Sequence, residues 1–281
     1  MPPLDQTPDG PDLTPIVRLT RDLKSAARLL TDAEARYMVD AYYAMQEDRI
    51  RAAHQLRALG EGGEPNSLMM WLLDQRESLE KQVARALDAY SAGHVIGQWM
   101  RSQAGIGPII AAGMLAQIDI TKAPTAGHIW RYAGLDPSVR WNKGEKRPWN
   151  ASLKRLCWNA GESFVRVSGN EHALYGQLYK QRKEIEERKN AAGDFADQAA
   201  ASLAGKKYGA DTQARAHYEA GRLPPARVHL RAKRWSVKIF LSHLQEVWWE
   251  HDTGTKPPAP YAMAMAGHAH KIPPPNWPMV G

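Results

Sequence analysis

Residues 103–118 read Gln103-Ala104-Gly105-Ile106-Gly107-Pro108-Ile109-Ile110-Ala111-Ala112-Gly113-Met114-Leu115-Ala116-Gln117-Ile118. Helical sequence runs up to about Gln103, stops at two glycines one residue apart, and resumes directly behind a proline. Glycine permits a tight reversal and close backbone approach, and proline, with φ preset and no N–H to lose, suits the first position of a helix. The pattern predicts two helices joined by a hairpin, with Ala111, Ala112 and Gly113 letting them pack closely. The turn Gly105-Ile106-Gly107, with the amides of Gly105, Gly107 and Ile109 at the positive end of the second helix, suits a phosphate. Pro108 donates nothing, and an αα-corner without a ligand is the alternative reading of the same residues.

On the N-terminal side of the hairpin the sequence is strongly helical. Thr31-Asp32-Ala33-Glu34 has the form of a capping box, and Tyr37, Met38, Ala41, Tyr42 and Met45 follow as an apolar stripe at helical spacing. The glycines around Gly62 break this helix. A second one follows, with Leu68, Trp71, Leu72, Leu79, Val83 and Leu87 as its expected packing face. Residues 31–91 are therefore expected to form a long helical hairpin or coiled coil that self-associates. Residues 1–30, richest in Pro, Asp and Thr over the first fifteen, are expected to be a disordered leader.

Beyond the hairpin, residues 92–250 are expected to form one helical domain. A polar insertion at about 176–222 begins with the charged run Lys180 to Lys189, read as a solvated helix. Leu223-Pro224-Pro225 opens a last helix reaching about Glu250, and residues 251–281, rich in proline, are expected to be extended. Period-two alternation is scarce, so the fold class is mostly α.

Composition narrows the function. The 281 residues carry 37 Lys and Arg against 30 Asp and Glu, a formal charge of +7 that suits a polyanionic partner. The single cysteine, Cys157, excludes an internal disulfide and a cysteine-built zinc site, which points to a reducing, cytoplasmic setting. No basic-then-apolar leader and no run of roughly 18 apolar residues is present, so no membrane partner is expected. His268-Ala269-His270, even with His251, lacks a carboxylate or thiol at ligand spacing, so no metal and no cofactor is assigned.

Two basic surfaces favour nucleic acid. Between 131 and 155 stand Arg131, Arg140, Lys143, Lys146, Arg147, Lys154 and Arg155, interleaved with Tyr132, Trp141 and Trp149 just after Trp130. Rings and cations in one irregular segment suit base stacking and phosphate contact. In the last helix Arg227, Arg231, Arg234 and Lys238 recur at spacings of four, three and four and so share a face, while Trp235, Ile239, Leu244 and Trp248 should pack inward.

The runs Gly105 to Ala112, Trp130-Arg131-Tyr132-Ala133-Gly134-Leu135-Asp136-Pro137 and Asn150-Ala151-Ser152-Leu153-Lys154-Arg155-Leu156 resemble the C-terminal domain of the insertion-sequence transposases related to pilin-gene DNA invertases. The resemblance spans about 31–250 and is strongest over 104–167. It implies a helix-hairpin-helix domain that binds DNA, in some members with a structured bridge RNA, and that bears a nucleophilic serine. In the family this domain accompanies an RNase H-like domain with four acidic residues and a coiled coil. Here the N-terminal region reads as helices instead, with Asp32, Glu34, Asp40, Glu47 and Asp48 as surface charges. Trp141 and Asn142 stand where the family's serine is expected, leaving Ser138 and Ser152 as the nearest hydroxyls.

Three functions follow. The first is a transposase-like protein that binds DNA, or structured RNA, without catalysis and as a homo-oligomer. The second is an active recombinase using a relocated serine, with magnesium and a partner supplying the acidic site. The third is a structural helical oligomer.

Overall fold

The hydroxyl of Thr31 accepts from the amide of Glu34 at 3.3 Å, and the Glu34 carboxylate accepts from the amide of Thr31 at 2.8 Å. This reciprocal cap starts the first long helix where the sequence places it. In a computed structural model of the chain, the residues described are 20–60, 67–209, 211–258 and 272–279. They form eleven α-helices and one 3-10 turn, with no strand among them, so the fold is all-helical. They fall into two compact units, 1–93 and 94–281.

The first unit holds α1 (Arg21–Arg28), α2 (Asp32–Gly60) and α3 (Ser67–Gly93). Helix α1 corrects part of the expected leader: Thr20 caps it by accepting from the amide of Leu23, and Ala27 is buried. The rest of that leader, 1–19, lies outside the described residues. Helices α2 and α3 run antiparallel, because Asp32 meets Tyr90 (3.4 Å), Asp48 meets Arg76 (3.1 Å) and Arg49 meets Glu80 (2.5 Å). Only a third of the expected α3 face is buried. Val83 and Leu87 are enclosed, whereas Leu68, Trp71, Leu72 and Leu79 are exposed. On α2 the buried positions are Ala35, Val39, Tyr43 and Ala52 rather than the stripe at Tyr37, which is 73% exposed.

The second unit is built around α11 (Pro225–Thr253). It contains α4 (Val95–Arg101), α5 (Pro108–Gln117), the 3-10 turn Ile120–Lys122, α6 (Ala126–Tyr132), α7 (Ala151–Arg166), α8 (Leu174–Ala191), α9 (Ala196–Gly205) and α10 (Gln213–Glu219). Helix α11 packs against α4, α6, α7 and α8. Phe240 lies at the centre, with its ring 6.1 Å from Trp99 of α4, 5.6 Å from Phe164 of α7 and 5.2 Å from Tyr175 of α8. Of the four residues expected to face inward, Leu244 is fully buried, but Trp235, Ile239 and Trp248 are only half-buried. Helix α5 is apolar on every side and is enclosed from Ile110 to Gln117, as such a sequence requires. Gly113 does not face α4. A Cβ there would lie 2.7 Å from a methyl of Leu156, so the missing side chain sets the approach of α5 to α7.

The charged run is helical, with Lys180, Gln181, Glu184, Glu187, Arg188 and Lys189 exposed as expected, but Glu186 within it is enclosed and the helix starts inside the core. Tyr175, Leu178, Tyr179 and Glu186 of α8 are buried, and α8 is the main neighbour of α11. Glu186 accepts from Arg182 Nε at 2.8 Å and from Arg231 Nε at 2.7 Å. The remaining insertion folds over its own apolar cluster of Phe195, Ala199, Tyr218, Leu223 and Val228. In the proline-rich tail, 259–271 lie outside the described residues, which removes His268 and His270 from view. Residues 272–279 return onto the unit: Trp99 donates to the carbonyl of Pro275 at 2.8 Å, and Trp277 donates to Glu250 at 3.2 Å.

Burial works to raise the pKa of Glu186, but the two guanidinium groups outweigh it and hold the carboxyl below its ordinary 4.5. A lowered acid contributes stability that is present above the unfolded value and lost as pH falls through the folded one. Stability against thermal unfolding should therefore weaken below about pH 4.5 in the wild type and less so in Glu186→Gln. Glu186→Ala, which strands two arginines, is expected to cost about 3–5 kcal/mol in urea unfolding.

Candidate nucleic-acid interface

The glycine hairpin separates into an inner and an outer half. Gly105 has φ +96°, and a Cβ on it would lie 3.2 Å from Phe164 and 3.4 Å from Val167, so this glycine is wedged against the C-terminal part of α7. Ile106 is buried, and its amide donates to the carbonyl of Gln103 at 3.0 Å. Ile106 is thereby enclosed and its amide occupied, and Gly105, half-buried, has one side packed against α7. Gly107 is different. It is exposed, has an ordinary extended backbone (φ −89°, ψ 174°), and a Cβ on it would meet nothing within 4 Å. It serves as N-cap of α5 without a side-chain cap, and its carbonyl receives the first helical bond, from Ala111 at 3.1 Å. The first-turn amide of Ile109 has no partner inside the helix, and Pro108 has no N–H. The outer half, Gly107 with the first-turn amide of Ile109, is thus the part of the described hairpin with open space around its backbone.

The basic segment after α6 is folded by its aromatic residues. Gly134 (φ +66°) lies under Trp149, where a Cβ would come within 2.8 Å of the ring. Trp141 packs edge-on against Trp149 at 6.0 Å and donates to the carbonyl of Glu145 at 2.8 Å. The Glu145 carboxylate accepts from the amide and side chain of Asn142, both at 3.1 Å, closing the turn around Gly144. Asn150 caps α7 through the amide of Leu153 and donates to Gln117 and Tyr132, all at 2.8 Å. This network leaves Arg131, Arg140, Lys143, Lys146 and Arg147 exposed, while Lys154 and Arg155 are half-buried. Arg147 lies 5.7 Å from the Trp141 ring centre, and Lys154 lies 4.0 Å from that of Trp149.

The stripe on α11 divides. Arg231 is committed to the fold: it pairs with Glu186, and its guanidinium lies 4.4 Å from the ring centre of Phe195. Its expected ligand-binding role is corrected accordingly. Lys238 covers the ring of Trp130 at 4.7 Å, while Trp130 donates to the Lys238 carbonyl at 3.1 Å. Arg227 and Arg234 are exposed. The remaining cations of this stripe meet those of the loop. Desolvation, Arg147 and Arg234 lower the pKa of Lys154; desolvation, Arg227 and Arg231 lower that of Arg234. Desolvation also lowers that of Lys238, where Asp136 opposes and Arg234 adds. No salt bridge engages Arg147, Lys154, Arg227 or Arg234 among the described residues.

Tertiary structure therefore joins the loop and α11 into one basic ridge, but it does not join the hairpin to that ridge. Gly105 abuts Ser163, and nine residues of α-helix separate Ser163 from Lys154, roughly 13 Å along the axis. The two candidate hydroxyls are turn and helix formers. Ser138 donates both its amide (2.9 Å) and its hydroxyl (2.7 Å) to Asp136, and these bonds hold the Asp136 carboxyl below its ordinary range. Such a carboxylate is a weak base for activating the serine. Ser152 lies in the first turn of α7. Burial pushes the Cys157 thiol up to about 12, which makes it inert. His251 pairs with Asp252 at 2.7 Å, and no three His, Cys, Asp or Glu side chains among the described residues could hold a metal.

Two residues absent from the sequence-based set stand beside the ridge. Trp158 of α7 is 51% exposed, and the ammonium of Lys233, itself buried, lies 3.3 Å from the centre of its ring. Trp158 follows Lys154 by four residues, a spacing that alone would have placed the two side by side. Nothing in the sequence distinguishes Lys233 from the exposed cations around it.

The division of the hairpin generates a direct comparison by urea unfolding. Gly105→Ala should lose roughly 1–2 kcal/mol through its left-handed backbone alone. Gly107→Ala should stay within about 1 kcal/mol of wild type, the ordinary cost of a poorer N-cap.

No curated protein and no solved structure matches the chain. The family model described as "Transposase IS116/IS110/IS902 family" matches residues 98–176, from within α4 to the start of α8. The matched segment contains the glycine hairpin, the basic loop and all of α7, and to that extent the protein is transposase-like.

Proposed function

We propose that this protein binds nucleic acid through the ridge formed by Arg147, Lys154, Arg227, Arg234 and Lys238, with Gly107 and Ile109 as a second, separate phosphate contact. One observation carries the reading: several cations are gathered where burial and mutual repulsion disfavour their charge, and four of them have no carboxylate partner among the described residues. Isolated like charges in a partly desolvated site are costly, and a polyanion relieves that cost on binding. The match to a transposase family supports DNA as the polyanion, with structured RNA as the alternative. The donors are ammonium, guanidinium and amide groups, with Arg147 on the loop, Lys154 on α7 and Arg227, Arg234 and Lys238 on α11. They suit phosphate contact, and no Asn or Gln is assigned among them to read base edges.

The reading assigns no cleavage. Ser138 is held by a weakly basic carboxylate and Ser152 belongs to a helix start, so neither is given a nucleophilic role, and no step is routed through magnesium. Self-association belongs to the same proposal. Trp71, Leu72, Leu68 and Leu79 present an apolar surface on α3 that a second copy of the chain would cover.

Fluorescence anisotropy across a salt series tests the ridge. Affinity should fall by roughly 0.9 log unit per log unit of salt for each duplex phosphate neutralised, and Lys154→Glu with Arg234→Glu should reduce that slope by about two contacts. Gly107→Val should weaken binding at a stability cost of no more than about 1 kcal/mol. A wild-type protein that binds neither duplex nor single strand at low salt refutes the proposal. For the assembly, sedimentation of the full chain should show an oligomer that Trp71→Glu with Leu72→Glu dissociates. A monomeric wild type would refute that part.

A further inference from the structure

We propose that the exposed face of Trp158 is a stacking platform for an unpaired nucleobase, so that the ligand of the basic ridge is a strand with at least one base outside a duplex. The inference rests on the ridge being a phosphate-binding surface and names what lies between the phosphates. Lys233, buried to 2%, is an expensive group to enclose, and it is held by two partners. Its ammonium pairs with the Glu162 carboxylate and lies against one face of Trp158, 3.3 Å from the ring centre. Gly161 makes room for it, since a Cβ there would lie 2.8 Å from the Lys233 side chain. The ring is thereby fixed from beneath by an ion pair and a cation–π contact. Its other face has no ring or cation contact among the described residues, and the side chain is 51% exposed.

A tryptophan fixed in this way would lose little freedom on stacking with a ligand, which is the condition for an effective platform. Its neighbours select the ligand. Lys154 lies one turn earlier on α7, about 6 Å along the axis, and Arg234 follows Lys233 on α11. Lys154 feels Arg147 and Arg234 as nearby charges, so the ring borders the part of the ridge richest in uncompensated cations. An apolar protein surface would have to desolvate those cations, whereas a nucleotide strand brings an anion for them and a flat ring for the tryptophan. In a continuous duplex the base faces are occupied by their neighbours. Only a single strand, a bulge or a displaced base offers a free face.

Full-length protein and fluorescein-labelled oligonucleotides of about 12 residues, a length within the usual range of single-strand sites, decide the matter. Trp158→Ala is expected to weaken binding of unpaired DNA or RNA by about tenfold or more and to leave a perfect duplex within twofold, with Trp158→Phe recovering most of the loss. Parallel DNA and RNA arms identify the sugar, and a tenfold loss in either supports the platform. A strand bearing 5-iodouracil should crosslink to the wild-type peptide that contains Trp158, a readout that does not depend on any variant folding. Equal binding of unpaired strands by wild type and Trp158→Ala, equal losses on strand and duplex, or crosslinks confined to other peptides would overturn the proposal. Lys154→Glu separates the two levels. If it weakens binding while Trp158→Ala does not, the ridge stands and the platform falls; if wild type binds no nucleic acid, both fall.

Discussion

The Phe240 ring is the point at which the second unit closes. Three aromatic side chains from three different helices converge on it, and each of those helices carries a feature the surface depends on. Trp99 ties α4 to the returning segment at Pro275, Phe164 sits under Gly105, and Tyr175 begins the helix that later supplies Glu186 to Arg231. Aromatic pairs of this kind add about 0.5–1.5 kcal/mol each beyond the area they bury. Their larger effect is geometric. With α11 fixed among α4, α7 and α8, its basic positions are held against the loop that follows α6, and the ridge exists because the core is packed this way.

The same packing sets a tension between stability and binding. Cations on α11 have two fates, decided by which helix faces them. Toward α8, Arg231 finds Glu186; beneath α7, Lys233 finds Glu162 and Trp158. Toward the loop, Lys154 has Arg147 and Arg234 of α11 as nearby charges. The first two are neutralised inside the protein and serve the fold. The third group is left with repulsion that an external anion can relieve. Sites that perform a function commonly violate local stability in this manner while the surrounding structure compensates.

A good deal of this was legible in the residues. The reciprocal cap at Thr31 and Glu34, the proline-started helix behind Gly107 and the long helix from Pro225 are local features, dictated by hydrogen bonds and backbone limits within a few residues. The basic loop and the α11 stripe were visible as clusters of charge. The reading of Lys180 to Lys189 as a solvated helix holds for most of the run and fails at Glu186, because a charged helix can bury one carboxylate when two arginines meet it, and the second of those, Arg231, is 45 residues away. The outer part of α3 failed in the opposite direction. Its apolar period predicts burial, but the partner that would cover it is not among the described residues of α2.

Sequence alone determined the long helices α2, α5 and α11 with their starts, and the sign of the surface charge, since each depends on neighbours along the chain. Tertiary structure decided which glycine of the hairpin is open, which arginine is committed to the core, and that Lys233 lies beneath Trp158. Gly105 and Gly107 are two residues apart and alike in pattern, yet one faces Phe164 and the other faces solvent. Arg231 and Arg234 share a helix face and differ only in whether a carboxylate of α8 lies opposite. The physical reason is the same in both pairs: exposure and charge compensation depend on what another helix brings to that point in space, and a one-dimensional period carries no information about it.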